Sequence, residues 1–87
     1  MKTWEIPEDV VFRDLDGEGI VLNLATGTYF GLNPTATRVW QMLSDRKSER
    51  EIVAALVDEF EVEQTTATSD VDALLRELVA KGLLREE

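Results

Sequence analysis

An α+β domain, built as a three-stranded antiparallel meander followed by three helices, is the fold class that this sequence predicts. Three observations carry it. Residues 10–32 hold three short runs rich in β-branched and aromatic residues, separated by glycine-containing turns. Residues 34–84 hold three runs whose apolar positions recur at helical spacing. The period changes at one point, Asn33-Pro34, with no linker between strand and helix. Eighty-seven residues give room for one modest core, so residues 1–87 are read as a single domain.

Met1 to Glu8 reads as a loosely held arm in which Trp4 and Ile6 are the packing candidates. Val10-Val-Phe-Arg-Asp-Leu15 is the first strand, Asp16-Gly17 the hairpin turn, and Ile20-Val-Leu-Asn-Leu24 the second strand. Ile20, Leu22 and Leu24 alternate with Val21 and Asn23, so one face of this strand seeks a core. Thr26-Gly27 turns the chain into a third strand, Thr28 to Leu32, which leaves the second strand central. The two edges differ. The first strand carries Asp9, Arg13 and Asp14, whereas the third has neither charge nor proline, the usual guards against pairing with another chain.

Asn33 supplies a side-chain cap and Pro34 a first helical residue that needs no N–H donor. Ala36, Val39, Trp40 and Leu43 then form one apolar stripe, which puts Trp40 in the core. Ser44 to Lys47 is a polar connector, and Ser48-Glu-Arg-Glu51 has the spacing of a capping box. Ile52, Ala55, Leu56 and Phe60 make the apolar face of the second helix. Glu61 to Thr68, with three threonines, reads as a connector. Ser69-Asp-Val-Asp72 then caps a third helix carrying Val71, Leu74, Leu75, Leu78 and Val79 and ending near Gly82. Leu83-Leu84 folds back onto the domain, and Arg85-Glu86-Glu87 frays.

Composition narrows the chemistry. With no Cys and no His, the chain lacks thiolate nucleophiles, imidazole acid–base catalysis, disulfides and the common zinc sites. It reads as a non-enzyme without cofactor or metal. Asp14-Leu-Asp16-Gly-Glu18-Gly19 begins like a calcium loop, but its twelfth position, where a bidentate Glu is required, is Ala25. No apolar run approaches the roughly 18 residues of a membrane span, and no signal-type segment follows Met1, so a cytoplasmic protein without membrane contact is expected. Nine basic and eighteen acidic residues give a net charge of −9, which repels phosphate backbones. No nucleic-acid partner is expected. A DNA-reading winged helix, the main rival for such an α+β order, would need more than the Arg76 and Lys81 of the third helix against its Asp70, Asp72 and Glu77. A subunit that docks only onto a partner enzyme is the other rival.

The order of elements is winged helix-turn-helix-like, and three segments extend the likeness. They are Gly27-x-Tyr-Phe-Gly-Leu-Asn-Pro-Thr-Ala-x-x-Val-Trp40, Glu51-Ile-Val-x-x-Leu56, and Asp70-Val-x-x-Leu-Leu-x-x-Leu78-x-x-x-Gly-Leu-Leu84. Together they make the chain resemble the PqqD-like proteins, the recognition elements that bind leader peptides in the biosynthesis of ribosomally made peptide natural products. In particular it is similar to the standalone members found in lasso-peptide pathways beside a separate leader peptidase. The resemblance implies that a precursor's leader adds as a strand beside the third strand, with side chains in a groove against the third helix, and is presented to a separate leader peptidase or other modifying enzyme. Carried onto this chain, the edge would be Thr28, Tyr29, Phe30, Gly31 and Leu32, and the groove wall Val71, Leu74 and Leu75. The outward-pointing amides are either those of Thr28, Phe30 and Leu32 or those of Tyr29 and Gly31.

Overall fold

The computed structural model describes residues 3–87. In chain order the elements are β1 (Trp4–Glu5), β2 (Val10–Leu15), β3 (Glu18–Asn23), β4 (Tyr29–Leu32), α1 (Pro34–Ser44), α2 (Glu49–Phe60), α3 (Gln64–Ala80) and β5 (Arg85–Glu86). β2, β3 and β4 form the antiparallel meander, with β3 central. At its first turn Asp16 (φ 57°) and Gly17 (φ 87°) both take left-handed backbone, as a tight hairpin requires. The Gly17 amide donates to the Asp14 carboxylate at 2.8 Å. That carboxylate thus serves the turn.

β3 turns inward the face opposite to the one its larger residues suggest. Gly19, Val21 and Asn23 are buried, while Ile20 and Leu22 are half-buried and Leu24 is 61% exposed. The reason is the close approach of α1. A side chain at position 19 would overlap the ring of Phe12 and crowd the Thr37 hydroxyl, so only glycine admits the helix there. Asn23 faces inward because it is fully used. Its Oδ1 accepts from the amides of Ala25 (2.9 Å) and Thr26 (3.2 Å), and its Nδ2 donates to the Gly82 carbonyl just past α3 (2.9 Å). Val11, Leu15, Leu24 and Tyr29 are consequently left exposed, and with Ile20 and Leu22 they make the outer sheet face largely apolar, with Arg13 and Glu18 as its charged members.

The helices start largely as their caps dictate. Asn33 accepts from the Ala36 amide at 2.8 Å with Pro34 in the first turn. Ser48 and Glu51 complete a reciprocal box, at 3.2 Å from the Glu51 amide to the Ser48 hydroxyl and 2.9 Å from the Ser48 amide to the Glu51 carboxylate. α3 departs from expectation. It begins at Gln64 rather than at a Ser69 cap, so most of the expected connector is helical. Ala67, four residues before Val71, is 2% exposed, and burying that extra turn outweighs the weak helix propensity of the threonines. The Thr68 hydroxyl donates to the Gln64 carbonyl at 2.8 Å and so is satisfied within the helix.

The core joins Val21 and Leu32 of the sheet to Val39, Trp40 and Leu43 of α1, Ile52, Val53 and Leu56 of α2, and Ala67, Val71, Leu75 and Leu78 of α3. Val53 replaces Phe60 on the inner face of α2. Phe60 is the helix's last residue, before the left-handed Glu61 turns the chain away, and is 41% exposed. Val79 likewise stays outside, at 40%.

Both expected loose ends are docked. Trp4 is 7% exposed, and β1 pairs antiparallel with β5, Trp4 opposite Glu86 and Glu5 opposite Arg85. The first two residues of the expected arm lie outside the described residues. Leu83 and Leu84 are buried, which carries the chain back to meet β1. Arg85 then pairs with Glu5 at 2.8 Å, and Glu87 pairs with Arg46 at 2.8 Å and accepts from the Thr3 hydroxyl at 3.0 Å.

Three carboxylates are held below their ordinary range by these contacts. Glu51 is lowered first by the Ser48 amide, Glu59 first by its hydrogen bond from Arg38, and Glu87 first by its bond from Arg46 and then Thr3. A carboxylate lowered in the folded state stabilises the protein above its unfolded value, near 4.5, and that stabilisation is lost as pH falls through the folded value. Urea midpoints should therefore fall between about pH 6 and about pH 3, and less steeply in Glu51→Gln, which keeps the cap without the titrating group. An unchanged slope in that variant would remove Glu51 from the account.

Candidate peptide-binding edge and cleft

β4 follows directly from the second turn. The Asn23 amide donates to the Thr28 carbonyl at 2.8 Å, so Thr28 faces β3 even though it precedes the strand. Antiparallel alternation then directs the polar backbone of Phe30, opposite Val21, toward β3 as well. The amides of Tyr29 and Gly31 point away from the sheet. The open choice between the two sets is thereby resolved in favour of Tyr29 and Gly31. At the far end the Thr37 hydroxyl enters between the strands, accepting from the Gly19 amide at 2.8 Å and reaching the Leu32 carbonyl at 3.4 Å. β4 leaves β3 there to enter α1.

Beside this edge runs a cleft of about 470 Å³ between β4, the start of α1 and α3. Phe30, Ala36, Val39, Leu56, Val71 and Leu74 supply apolar lining, and Asn33, Thr35, Asp70 and Glu77 polar lining. Lys81, one turn past Glu77, holds its ammonium 5.6 Å from the centroid of the Phe30 ring.

Each sequence-derived site residue has a definite place. Phe30, Gly31, Val71 and Leu74 meet at the cleft. Leu74 is half-buried there, and Val71, 1% exposed, is at once core and cleft lining. Tyr29 is 68% exposed and pairs with Leu22, which sets it on the outer sheet face. Leu32 and Leu75, at 4% and 1% exposed, belong to the core, and Leu75 does not line the cleft. One position along a helix is 100° of rotation, so a stripe wide enough to hold Leu74 and Leu75 splits between groove and core. The sequence reading missed Asn33, Thr35 and Ala36, although the immediate strand-to-helix junction places the first turn of α1 beside the edge. It also missed Asp70 and Glu77, although they flank Leu74 at i−4 and i+3 on one helix face.

Among the described residues no group of three His, Cys, Asp or Glu is placed to hold a metal ion, and no helix is long and apolar enough to cross a membrane. What the site offers is an open strand edge with a shaped apolar cleft alongside, the geometry of peptide capture by strand addition.

No curated protein matches the chain. Two solved structures do. One is described as TbiB1 in complex with the TbiA(beta) leader peptide, 40% identical over 92% of this chain and 93% of that one, with a TM-score of 0.88. The other is lasso peptide synthetase B1 complexed with the leader peptide, 30% identical over 93% of this chain and 95% of that one, with a TM-score of 0.85. The family model for coenzyme PQQ synthesis protein D (PqqD) matches residues 18–84, from the start of β3 to the buried Leu84, and the chain belongs to the PqqD family.

Proposed function

We propose that this protein binds the leader segment of a ribosomally made precursor peptide as an added strand on β4, and presents it to a separate leader peptidase or other maturase. The observation that carries this reading is the juxtaposition of the uncharged edge, with the Tyr29 and Gly31 amides outward, and the cleft lined by Leu74. Leader-bound relatives at 40% and 30% identity support the same ligand class, and lasso-peptide maturation as its setting. The protein acts as a binding component without turnover of its own, in the cytoplasm where its precursor is made. A chain without His or Cys supports that role. The largely apolar outer sheet face suits presentation, since it stays open when the edge and the cleft are filled.

Titrating the isolated protein with the synthetic leader by calorimetry tests the reading, and a parallel titration with the processing enzyme separates it from a docking-only subunit. Leader binding without the enzyme is expected. Leu74→Glu should weaken it by roughly tenfold or more, because a charge buried against bound apolar side chains is costly. Binding of the enzyme but not of the leader would reverse the assignment.

A further inference from the structure

The cleft carries a charge pattern as well as a shape. Of the three acidic residues on α3 near it, Asp72 is paired with Arg76 at 2.9 Å, whereas Asp70 and Glu77 line the cleft and have no cationic partner among the described residues. Arg38 and Arg46, on the side of α1 and its connector, are engaged by Glu59 and Glu87. Lys81 lies over Phe30 and closes the acidic stretch at one end. Between Asp70 and Lys81 the α3 wall is therefore apolar in the middle and negative on both sides.

The spacing fits a strand. Asp70 lies about 6 Å before Leu74 along the helix axis, and Glu77 about 4.5 Å after it. Side chains on one face of an extended peptide recur about every 6.6 Å. A strand whose apolar side chain rests on Leu74 places its next same-face residues, two positions away on either side, opposite the two carboxylates. The long stems of Lys or Arg cover the small mismatch.

We infer that the cleft selects leader segments with Lys or Arg two residues to either side of an apolar anchor, Asp70 and Glu77 being the residues that read them. This rests on the strand-addition reading and goes beyond it by naming the charge pattern of the ligand. Partly exposed ion pairs contribute modestly, so the two together should shift affinity roughly three- to tenfold, with the preference shrinking as salt rises.

The test is selection of a displayed random 12-residue peptide library on the intact protein, followed by calorimetry of the winning peptides on the intact protein and on Gly31→Pro. Enrichment of Lys or Arg at two positions from an apolar residue is expected, and replacing those cations by Glu should weaken binding. Against the double variant Asp70→Asn, Glu77→Gln the same replacement should change nothing, and against Asp70→Lys, Glu77→Lys the Glu peptide should bind better. Winners that lose binding to Gly31→Pro yet show no basic enrichment would overturn the charge inference and leave strand addition standing. Winners indifferent to Gly31→Pro would overturn strand addition, and this inference with it.

Discussion

Trp40→Ala is expected to remove most of the protein's stability at room temperature. Trp40 is 2% exposed in the middle of α1, and its ring stacks on Phe12 of β2 with centroids 6.2 Å apart and planes 23° from parallel. It thus ties the helix layer to the sheet. Emptying so large a site costs roughly 3–5 kcal/mol, against a stability of about 5–15 kcal/mol for a whole domain. A domain of this size sits toward the lower part of that range, because small chains bury a smaller fraction of their surface. Urea unfolding followed by far-UV circular dichroism would measure it. A variant that kept its midpoint and lost only peptide binding would mean that Trp40 is contact surface instead of core.

The second large effect is expected from proline in β4, and it should split by position. Gly31→Pro removes an amide that points away from β3, so the free protein loses no internal hydrogen bond, while an added strand loses a donor and meets the ring. Leader affinity should fall roughly tenfold or more with little change in unfolding midpoint. Phe30→Pro does the reverse. It deletes a ladder amide facing Val21, a residue with no exposure, and should destabilise the fold by about 1–3 kcal/mol before binding is considered. Equal leader affinity in folded Gly31→Pro and the parent protein would end the strand-addition model.

Those two variants also mark how far the sequence can be read. Trp40 was legible because a helical stripe reports burial directly: Val39, Trp40 and Leu43 recur at the period of the helix that buries them. The unguarded strand was legible for a similar reason, since charge and proline are local properties. The face of β3 was not. Hydrophobicity favours Ile20, Leu22 and Leu24 as the inner set, yet the close packing of α1 on Gly19 and the three bonds made by Asn23 decide otherwise. Both are contacts between residues distant in sequence. The start of α3 was missed on the same ground, for the threonines argue against helix locally and the burial of Ala67 argues for it globally. Half of the cleft was visible as the Leu74 stripe. Its polar half came from residues that look like ordinary solvated helix surface until β4 is placed beside them.

The pairing of β1 with β5 makes the order of the chain partly interchangeable. Trp4 stands opposite Glu86, and the Glu87 amide donates to the Thr3 carbonyl at 3.2 Å, so the two ends of the described chain are neighbours. A linker of a few residues would close them into a ring. New ends could then be opened at Asp16-Gly17, an exposed hairpin tip. In that permuted chain β3, β4, α1, α2 and α3 still follow one another unbroken, so the cleft would be assembled from one continuous stretch, with β2 arriving last across the new join. Leader capture should survive the rearrangement, because it depends on which strand is left at the edge of the sheet and not on which residue leaves the ribosome first.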